Sequence, residues 1–370
     1  MKILMQNRID AFSLPGGDTV QMLKTKEYLE KLGVVVDISL DLEPDLRQYD
    51  IVHLFNITRV HETYIQYLNA KKQKVPIALS TIYQNFDELD IKGTFGLKRF
   101  VWRRLNQEAR EKLKTALRVF FDPRQLKTAY QQLLIGFRRQ QKEVLEGTTM
   151  ILPNSTLENE AIRKDFGINF DYEIIPNAVD SSFIRQENTF DEKMVKREYV
   201  LCVGNYIERK NQLALLKALE KEDIPLVFIG GVTNSHRHYY RKICRLAAQR
   251  KANTKVLQKV KQDELIPLYL GAKVIALPSW IETTGLSCLE GALTGSNVVV
   301  TDLGYAKEYF GKMACYCNPN DIGSIRKAVL KAYELPTNPN LRAHILENYT
   351  WDKTAMATLK AYKKVLVEQK

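Results

Sequence analysis

The most constraining feature of this chain is the regular alternation of short apolar runs with helical patterns over most of its length. Such alternation predicts βαβ units and parallel sheets. The apolar runs fall into two series, the first at 3–5, 34–38, 51–55, 77–79 and 150–152, and the second at 199–203, 226–229, 256–257, 274–277 and 298–300. We therefore predict an α/β protein with two Rossmann-like, doubly wound domains that face each other across a cleft, with ligands bound at the carboxyl ends of the strands.

Length and composition set the expected domain limits. The chain has 370 residues, 45% of them hydrophobic, which is enough to bury two cores. We place an N-terminal domain at 1–180 and a C-terminal domain at 181–350. The final helical pattern, 351–370, can pack on either domain, and packing back on the N-terminal domain is one option.

Several protein classes are excluded by what the sequence lacks. The longest apolar runs fall far short of the roughly 18 residues that span a bilayer, and the first run is too short for a signal peptide. The five cysteines form an odd, scattered set without zinc-site spacing, and the histidines lack carboxylates at metal-ligand spacing. We expect reduced thiols, a cytoplasmic location, no bound metal or other cofactor, and at most peripheral contact with the inner face of the cell membrane.

The positive charge of the chain is concentrated in one segment. The formal net charge is +12, and residues 92–142 contain fourteen basic side chains against three acidic ones. Apolar residues recur in this segment at three- and four-residue spacing, namely Trp102, Leu105, Ala109, Leu113, Ala116 and Phe120. This spacing predicts a cationic amphipathic helix.

A second helix is predicted after Asp122-Pro123, which supply an N-cap and a first-turn proline. This helix would run through Leu126, Tyr130, Leu133 and Phe137, so a basic helical insertion is expected at about 92–145. Three interpretations of the charge remain open. In the first, the apolar stripe packs on the core of the domain and the basic face is merely solvated. In the second, the basic face docks on an anionic membrane at about 1 kcal/mol per basic side chain, and in the third it binds nucleic acid. The last is the weakest because no readout motif accompanies the charge, and we expect no nucleic-acid partner.

Two loops that follow predicted strands have features suited to anion binding. Gly16-Gly17 come after the first strand, where paired glycines let backbone approach a ligand and the next helix offers free N–H groups. An ordinary tight loop explains the same glycines. In the loop that begins at Gly204, Arg209 and Lys210 supply the cationic donors that a diphosphate requires, with solvated loop cations as the alternative.

The segment 277–292 is the most informative. Gly285 permits a turn, and a helix is predicted from near Leu286, so its N-terminus can face phosphate oxygens. Glu282 lies in the loop and Glu290 in the helix, and both can line one pocket, where a carboxylate accepts hydrogen bonds from vicinal hydroxyls such as those of ribose. Because an unpaired buried charge is costly, Glu290 among small apolar residues indicates a ligand role.

These segments, taken in order, resemble the retaining glycosyltransferases of the GT-B fold, in the family called glycosyltransferase family 4 or group 1. The resemblance covers the first loop and nearly the whole C-terminal domain. Its elements are Gly16-Gly17, Pro153-Asn154-Ser155, the segment 175–180, Val203-Gly204 to Lys210-Asn211, Pro278-Ser279, and Glu282 with Glu290 eight positions later.

The resemblance implies a role for each site residue. Lys210 would hold the donor diphosphate, Glu282 would contact the transferred sugar, and Glu290 would bind the ribose hydroxyls. We therefore assign Lys210 and Glu282 as catalytic. The donor-binding set is Gly16, Gly17, Arg209, Lys210, Glu282, Thr284, Gly285, Leu286 and Glu290. Members of the family transfer with retention of configuration and usually need no bound metal.

Three positions depart from the family pattern. Many members have Arg directly after the Val-Gly pair, whereas this chain has Asn205, which leaves Arg209 as the substitute. Many also place His after the strand 77–79, where this chain reads Ser-Thr-Ile-Tyr, so we name no catalytic histidine. The usual Asn-Gly-Val-Asp reads Asn-Ala-Val-Asp at 177–180.

The function that the resemblance implies is transfer of a sugar from a nucleotide-sugar donor to a glycan or lipid-linked acceptor, in cell-surface polysaccharide synthesis. The basic segment 92–142 would supply an anionic membrane surface as a further partner. The alternative is a non-catalytic protein that binds a nucleotide sugar or a polyanion on the same scaffold.

Overall fold

The computed structural model describes residues 1–93, 100, 102, 104–121, 125–180, 197–258, 260 and 262–367. The described residues divide into two compact units. The first is drawn from 1–87, 96–177 and 351–370, and the second from 88–95 and 178–350.

The first half of the chain alternates strands and helices as predicted. Its elements are β1 Lys2–Gln6, α1 Gly17–Lys31, β2 Val35–Ser39, β3 Ile51–Phe55, α2 Val60–Gln73, β4 Ile77–Ser80, α3 Asp87–Lys92, α4 Gln107–Phe121, α5 Leu126–Ile135, α6 Phe137–Gly147, β5 Met150–Leu152 and α7 Thr156–Phe166. The five strands form one parallel sheet in the order β2-β1-β3-β4-β5.

The second half repeats this alternation. Its elements are β6 Tyr199–Val203, a 3₁₀ turn Glu208–Lys210, α8 Gln212–Ala218, β7 Leu226–Ile229, a 3₁₀ turn Asn234–His236, α9 Arg237–Gln249, β8 Thr254–Leu257, α10 Gln262–Leu270, β9 Ala272–Leu277, α11 Leu286–Leu293, β10 Asn297–Thr301, α12 Ala306–Phe310, a 3₁₀ turn Gly311–Met313, β11 Cys315–Cys317, α13 Ile322–Glu334, α14 Pro339–Asn348 and α15 Trp351–Val367. The second sheet is parallel throughout, in the order β11-β10-β9-β6-β7-β8.

Each sheet is buried in its own unit. All ten predicted strands are present, and β9 and β10 are almost entirely buried because parallel sheets are covered by helices on both faces. Helix α11 lies close against β9, since a Cβ added at Gly291 would meet the Ile275 side chain at 2.6 Å. The prediction missed β11, a three-residue edge strand whose sequence Cys-Tyr-Cys forms no apolar run.

Helix α15 packs in the first unit, against α1. Its Tyr362 hydroxyl lies 2.7 Å from Nδ1 of the buried His53 on β3, and Nε2 of the same ring lies 2.9 Å from Ser80 Oγ. Burial lowers the pKa of His53 to about 3, so the ring is neutral. These contacts join the last helix to the middle of the first sheet.

The basic insertion differs from the predicted pair of helices. The first helix begins only at Gln107, where the Asn106 side chain accepts a hydrogen bond from the Ala109 N–H at 2.9 Å. Trp102 therefore precedes it, and Arg110, which we expected on the basic surface, is buried. The predicted second helix ends at Ile135, because Gly136 has φ +96° and α6 starts after it. The predicted cap at 122–123 lies outside the described residues.

None of the described helices combines the length and hydropathy needed to cross a membrane.

Candidate functional site

The strand order of the second sheet places two loops side by side. Strands β6 and β9 are neighbours although β7 and β8 lie between them in the sequence, because β7 and β8 continue the sheet on one side and β10 and β11 on the other. Ligands of doubly wound sheets bind beyond the carboxyl ends of the strands at such a reversal. The loops that leave this point are 204–211 after β6 and 278–285 after β9.

Main-chain hydrogen bonds hold the two loops together. The Trp280 N–H donates to the Arg209 carbonyl at 2.8 Å. Asn211 has φ +58°, a left-handed conformation that asparagine tolerates better than most residues. Its side-chain amide donates to the carbonyls of Pro278 at 3.0 Å and Pro319 at 2.9 Å. The loop that carries Lys210 is thus fastened to the loop that carries Glu282.

Lys210 and Glu282 form an ion pair across these loops. Lys210 Nζ lies 2.6 Å from Glu282 Oε1, and the two side chains are only 15% and 6% exposed. The stem of Lys210 lies over Gly204, where an added Cβ would come within 3.4 Å of Cδ and Cε. Because both charges are mostly shielded from water, Lys210 strongly favours the ionised form of Glu282.

The surroundings of Glu282 keep it ionised. Burial opposes the charge, but Lys210 and Arg209, together with hydrogen bonds from Lys210 and Ser279, outweigh burial and lower the pKa of Glu282. The main chain is fixed as well, since the Tyr305 N–H donates to the Glu282 carbonyl at 2.8 Å. Arg209 contributes a longer contact, from Nη1 to the Ile281 carbonyl at 3.5 Å.

The turn before α11 has the predicted form. Gly285 has φ +78° and precedes the first helical residue, Leu286, while Thr284 is buried. The Ser287 hydroxyl donates to the Val203 carbonyl at 3.1 Å, which sets the N-terminus of α11 against the end of β6. The first-turn N–H groups of this helix therefore lie at the same sheet edge as Lys210.

Glu290, one turn further along α11, is held by a residue that the sequence did not indicate. The hydroxyl of Tyr269, a buried residue of α10, donates to Glu290 Oε2 at 2.5 Å. Burial raises the pKa of Glu290 to about 7, and Asp180 adds to the rise, while the Tyr269 hydrogen bond opposes it. Glu290 therefore changes its charge near neutral pH.

Gly16 and Gly17 lie in the first unit, at the start of α1. Gly16 precedes the helix, and a Cβ added there would meet Asp18 Oδ1 at 2.8 Å. Asp18 is buried and bound by Arg8, whose Nε lies 2.7 Å from Asp18 Oδ2. The turn therefore has a carboxylate of its own chain beside it, with a guanidinium that balances the charge.

The structure brings Arg209, Lys210, Glu282, Thr284, Gly285, Leu286 and Glu290 into the second unit at one edge of its sheet, and it places Gly16 and Gly17 in the first unit. Sequence reasoning missed Tyr269 and the structural role of Asn211. Among the residues that the structure describes, no three His, Cys, Asp or Glu side chains are grouped so as to hold a metal ion.

The sequence of the second unit matches a known family. Residues 183–350 match the family model described as glycosyl transferases group 1. An uncharacterised glycosyltransferase of Methanocaldococcus jannaschii is 31% identical over 186 residues, which cover 47% of this chain and 45% of that protein. The O-antigen chain mannosyltransferase RfbU of Salmonella typhimurium is 24% identical over 205 residues, 55% of this chain and 56% of that protein. The chain thus spans about half the length of these curated relatives.

Solved structures resemble the chain over its whole length. Sucrose-phosphate synthase from Thermosynechococcus elongatus has a TM-score of 0.73 at 13% identity, with 100% of both chains covered. The Anabaena protein Alr3699/HepE, solved in complex with UDP and glucose, has a TM-score of 0.66 at 13% identity, with 98% of this chain and 100% of that chain covered. Such low identities bear on the fold alone, and they confirm the predicted class of two Rossmann-like α/β domains, as in GT-B glycosyltransferases.

Proposed function

We propose that this chain, whose residues 183–350 are a group 1 glycosyl transferase domain, is a retaining glycosyltransferase of family 4. It would move a sugar from a nucleotide-sugar donor to a glycan or lipid-linked acceptor. The observation that carries this proposal is the shielded ion pair of Lys210 with Glu282, which lies at the same sheet edge as the helix that carries Glu290.

The leaving group in such a transfer is a nucleoside diphosphate, so negative charge develops on it as the glycosidic bond breaks. Lys210, Arg209 and the first-turn N–H groups of α11 would stabilise that charge, because all three lie at the sheet edge beyond β6 and β9. Preorganised donors of this kind need no rearrangement at the moment of reaction. Lys210 is held in advance by Glu282.

The two glutamates would bind the other two parts of the donor, the ribose and the transferred sugar. Glu290 in its ionised form accepts hydrogen bonds from the ribose hydroxyls, and Glu282 contacts the transferred sugar. A carboxylate paired with Lys210 at 2.6 Å is a weak nucleophile, so we favour attack by the acceptor hydroxyl on the face that the diphosphate leaves. No resident metal takes part in this proposal.

The relatives narrow the donors worth testing. Proteins named as O-antigen chain mannosyltransferases match part of this chain, and HepE was solved with UDP and glucose. We therefore propose a hexosyl donor on GDP or UDP and an acceptor in cell-surface polysaccharide synthesis. The protein would work in the cytoplasm, at the inner face of the cell membrane, where the basic segment 92–142 meets anionic lipid.

The test is thermal unfolding of the wild type and Glu290→Ala with UDP, GDP, ADP and their sugar conjugates. A ligand at about 100 times its dissociation constant adds roughly 2.7 kcal/mol, enough to raise the midpoint by several degrees. We expect one nucleotide series to do so, with the shift lost in Glu290→Ala. Glu334→Ala, an exposed carboxylate of α13 away from the site, should keep the shift.

Transfer itself is checked with the donor so identified. Lys210→Ala should abolish turnover, and NMR of the product should show the anomeric configuration of the donor retained. Inverted product would contradict the retaining mechanism alone. Binding without any transfer or hydrolysis would support the non-catalytic alternative, which we do not favour because Lys210, Glu282 and Glu290 are all present.

A further inference from the structure

Helix α5 has its apolar side facing solvent. Leu126, Tyr130 and Leu134 are 63%, 64% and 67% exposed, and Leu133 is 43% exposed. Their spacing of four, three and one places them on one stripe of the helix. The residues that α5 buries are Thr128, Ala129 and Gln132.

The buried side of α5 is polar and has internal partners. The Thr115 hydroxyl of α4 donates to Gln132 Oε1 at 2.6 Å, and the Thr128 hydroxyl donates to the Gln125 carbonyl at 2.8 Å. The bond between Thr115 and Gln132 joins α4 to α5 and fixes the rotation of the helix. Burying the apolar stripe inside the unit would break this bond, which is costly for buried polar groups. The exposed stripe is therefore a consequence of how the insertion is bonded.

Exposed basic side chains lie on α5 and on two helices that pack against it. Lys127 lies on α5 itself, and Lys112, Arg139 and Lys142 are exposed on the helices before and after it. Lys127, Arg139 and Lys142 have acidic neighbours, but exposed ion pairs of this kind are weak. The segment 92–142 as a whole has eleven more basic than acidic residues. An apolar stripe with a basic rim is the composition of a helix that lies in a membrane interface.

We infer that the Leu126–Leu134 face of α5 inserts into the surface of an anionic phospholipid bilayer, with the exposed side chains of Lys112, Lys127, Arg139 and Lys142 at the headgroups. The inference rests on the membrane association proposed above, and it assigns the contact to the apolar stripe rather than to the basic surface alone. Charge favours a bilayer over a second copy of this chain, since two copies meeting at this face would bring like charges together.

The experiment is cosedimentation with vesicles of phosphatidylcholine alone and of phosphatidylcholine with phosphatidylglycerol. We compare the wild type with Leu126→Ser/Leu134→Ser. The matched control is Val20→Ser/Leu23→Ser, because these two side chains are exposed to 42% each on α1 of the same unit. We expect binding to the anionic vesicles only, at least about tenfold weaker in the α5 variant and unchanged in the control.

Insertion is measured separately with Tyr130→Trp. Its fluorescence should shift to shorter wavelength on anionic vesicles and be quenched by lipids brominated in their acyl chains, beyond the response of the three native tryptophans. Unchanged binding of the α5 variant would overturn the inference and leave peripheral association by charge standing. If the wild type does not bind the anionic vesicles, both the insertion of α5 and the peripheral association by charge are overturned.

A third result would also overturn the inference. If the wild type self-associates in solution and Leu126→Ser/Leu134→Ser is monomeric, the stripe is an interface between copies of the chain. The nucleotide-induced rise in unfolding temperature checks that each variant is folded. It also tests the transferase separately, so failure at the membrane and failure of the proposed reaction give different results.

Discussion

Tyr269 favours the ionised form of Glu290. Burial raises the pKa of Glu290, and the Tyr269 hydroxyl, which donates to Glu290 Oε2 at 2.5 Å, opposes this rise, so that the pKa is about 7. Tyr269→Phe removes the donor, so the pKa of Glu290 should rise further. Because only the ionised carboxylate accepts both ribose hydroxyls, we expect nucleotide binding to weaken about tenfold at pH 7 and to recover at higher pH. Calorimetry across pH 6 to pH 9 checks this.

The pH profile separates positioning from a purely structural effect. In the wild type, affinity should fall as pH drops through about 7, and in Tyr269→Phe the same fall should begin at higher pH. Tyr333→Phe is the control, since the Tyr333 hydroxyl bonds the Glu198 carbonyl away from the site. Equal weakening of Tyr269→Phe at every pH would contradict the assigned role.

The residues of the site differ in how easily they can be predicted from the sequence. Lys210 and Glu282 lie in loops that follow strand ends, and Glu290 lies one turn into the helix after the second loop, where the local pattern already indicates ligand contact. Tyr269 lies in an apolar helix and meets Glu290 from twenty-one positions earlier in the chain. Nothing local distinguishes it from a core tyrosine, because the contact exists only once β9 has brought α10 beside α11.

Helices and strands could be predicted from the sequence where the burial of apolar side chains alone determines how they pack. The inner strands of both sheets are largely apolar because helices cover both faces, and all ten predicted strands are present. Helix α5 shows the limit, since its apolar residues recur at helical spacing while the side chains that it buries are Thr128, Ala129 and Gln132. The periodicity of the apolar residues predicts the stripe, but it does not predict on which side of the helix the hydrogen-bond partners lie.

The segment 302–305 tests how strongly an element depends on one glycine. Gly304 has φ +98°, and a Cβ there would lie 2.1 Å from the Glu282 carbonyl oxygen. Gly304→Ala should cost about 2 kcal/mol or more of unfolding free energy, because an unfavourable φ adds to a clash. It should also weaken nucleotide binding, since the Glu282 loop has to move. Denaturant unfolding and calorimetry measure the two effects.

Gly311→Ala is the matched control for this change. Gly311 also has positive φ, at +50°, but nothing lies within 4 Å of its added Cβ. Its unfavourable backbone conformation should cost about 1 to 3 kcal/mol of unfolding free energy, and it should bind nucleotide normally. If Gly304→Ala binds as well as Gly311→Ala does, the contact between residue 304 and the Glu282 loop does not position the site.

At the scale of the whole molecule, the sequence predicted two doubly wound sheets but not which unit takes the final helix. The apolar pattern of α15 predicts that one face of the helix is buried, but it does not indicate which unit covers that face. His53 supplies part of the answer, because the middle of β3 holds a neutral ring between Ser80 and Tyr362 of α15. From the sequence alone, His53 cannot be distinguished from an ordinary core residue of a strand. Its partner, Tyr362, lies 309 positions away in the chain.

The same histidine predicts how the first unit responds to acid. Burial lowers the pKa of His53 from 6.5 to about 3, so between these values the unfolded chain binds a proton that the folded chain excludes. Stability contributed by the neutral ring is therefore complete above pH 6.5 and is lost as pH falls, by about 2 kcal/mol between pH 7 and pH 5. In urea unfolding, His53→Gln should lose about 2 kcal/mol less than the wild type over this interval. His344→Gln, a half-buried histidine of α14, should behave like the wild type, and equal losses in His53→Gln and the wild type would mean that protonation of His53 does not limit acid stability.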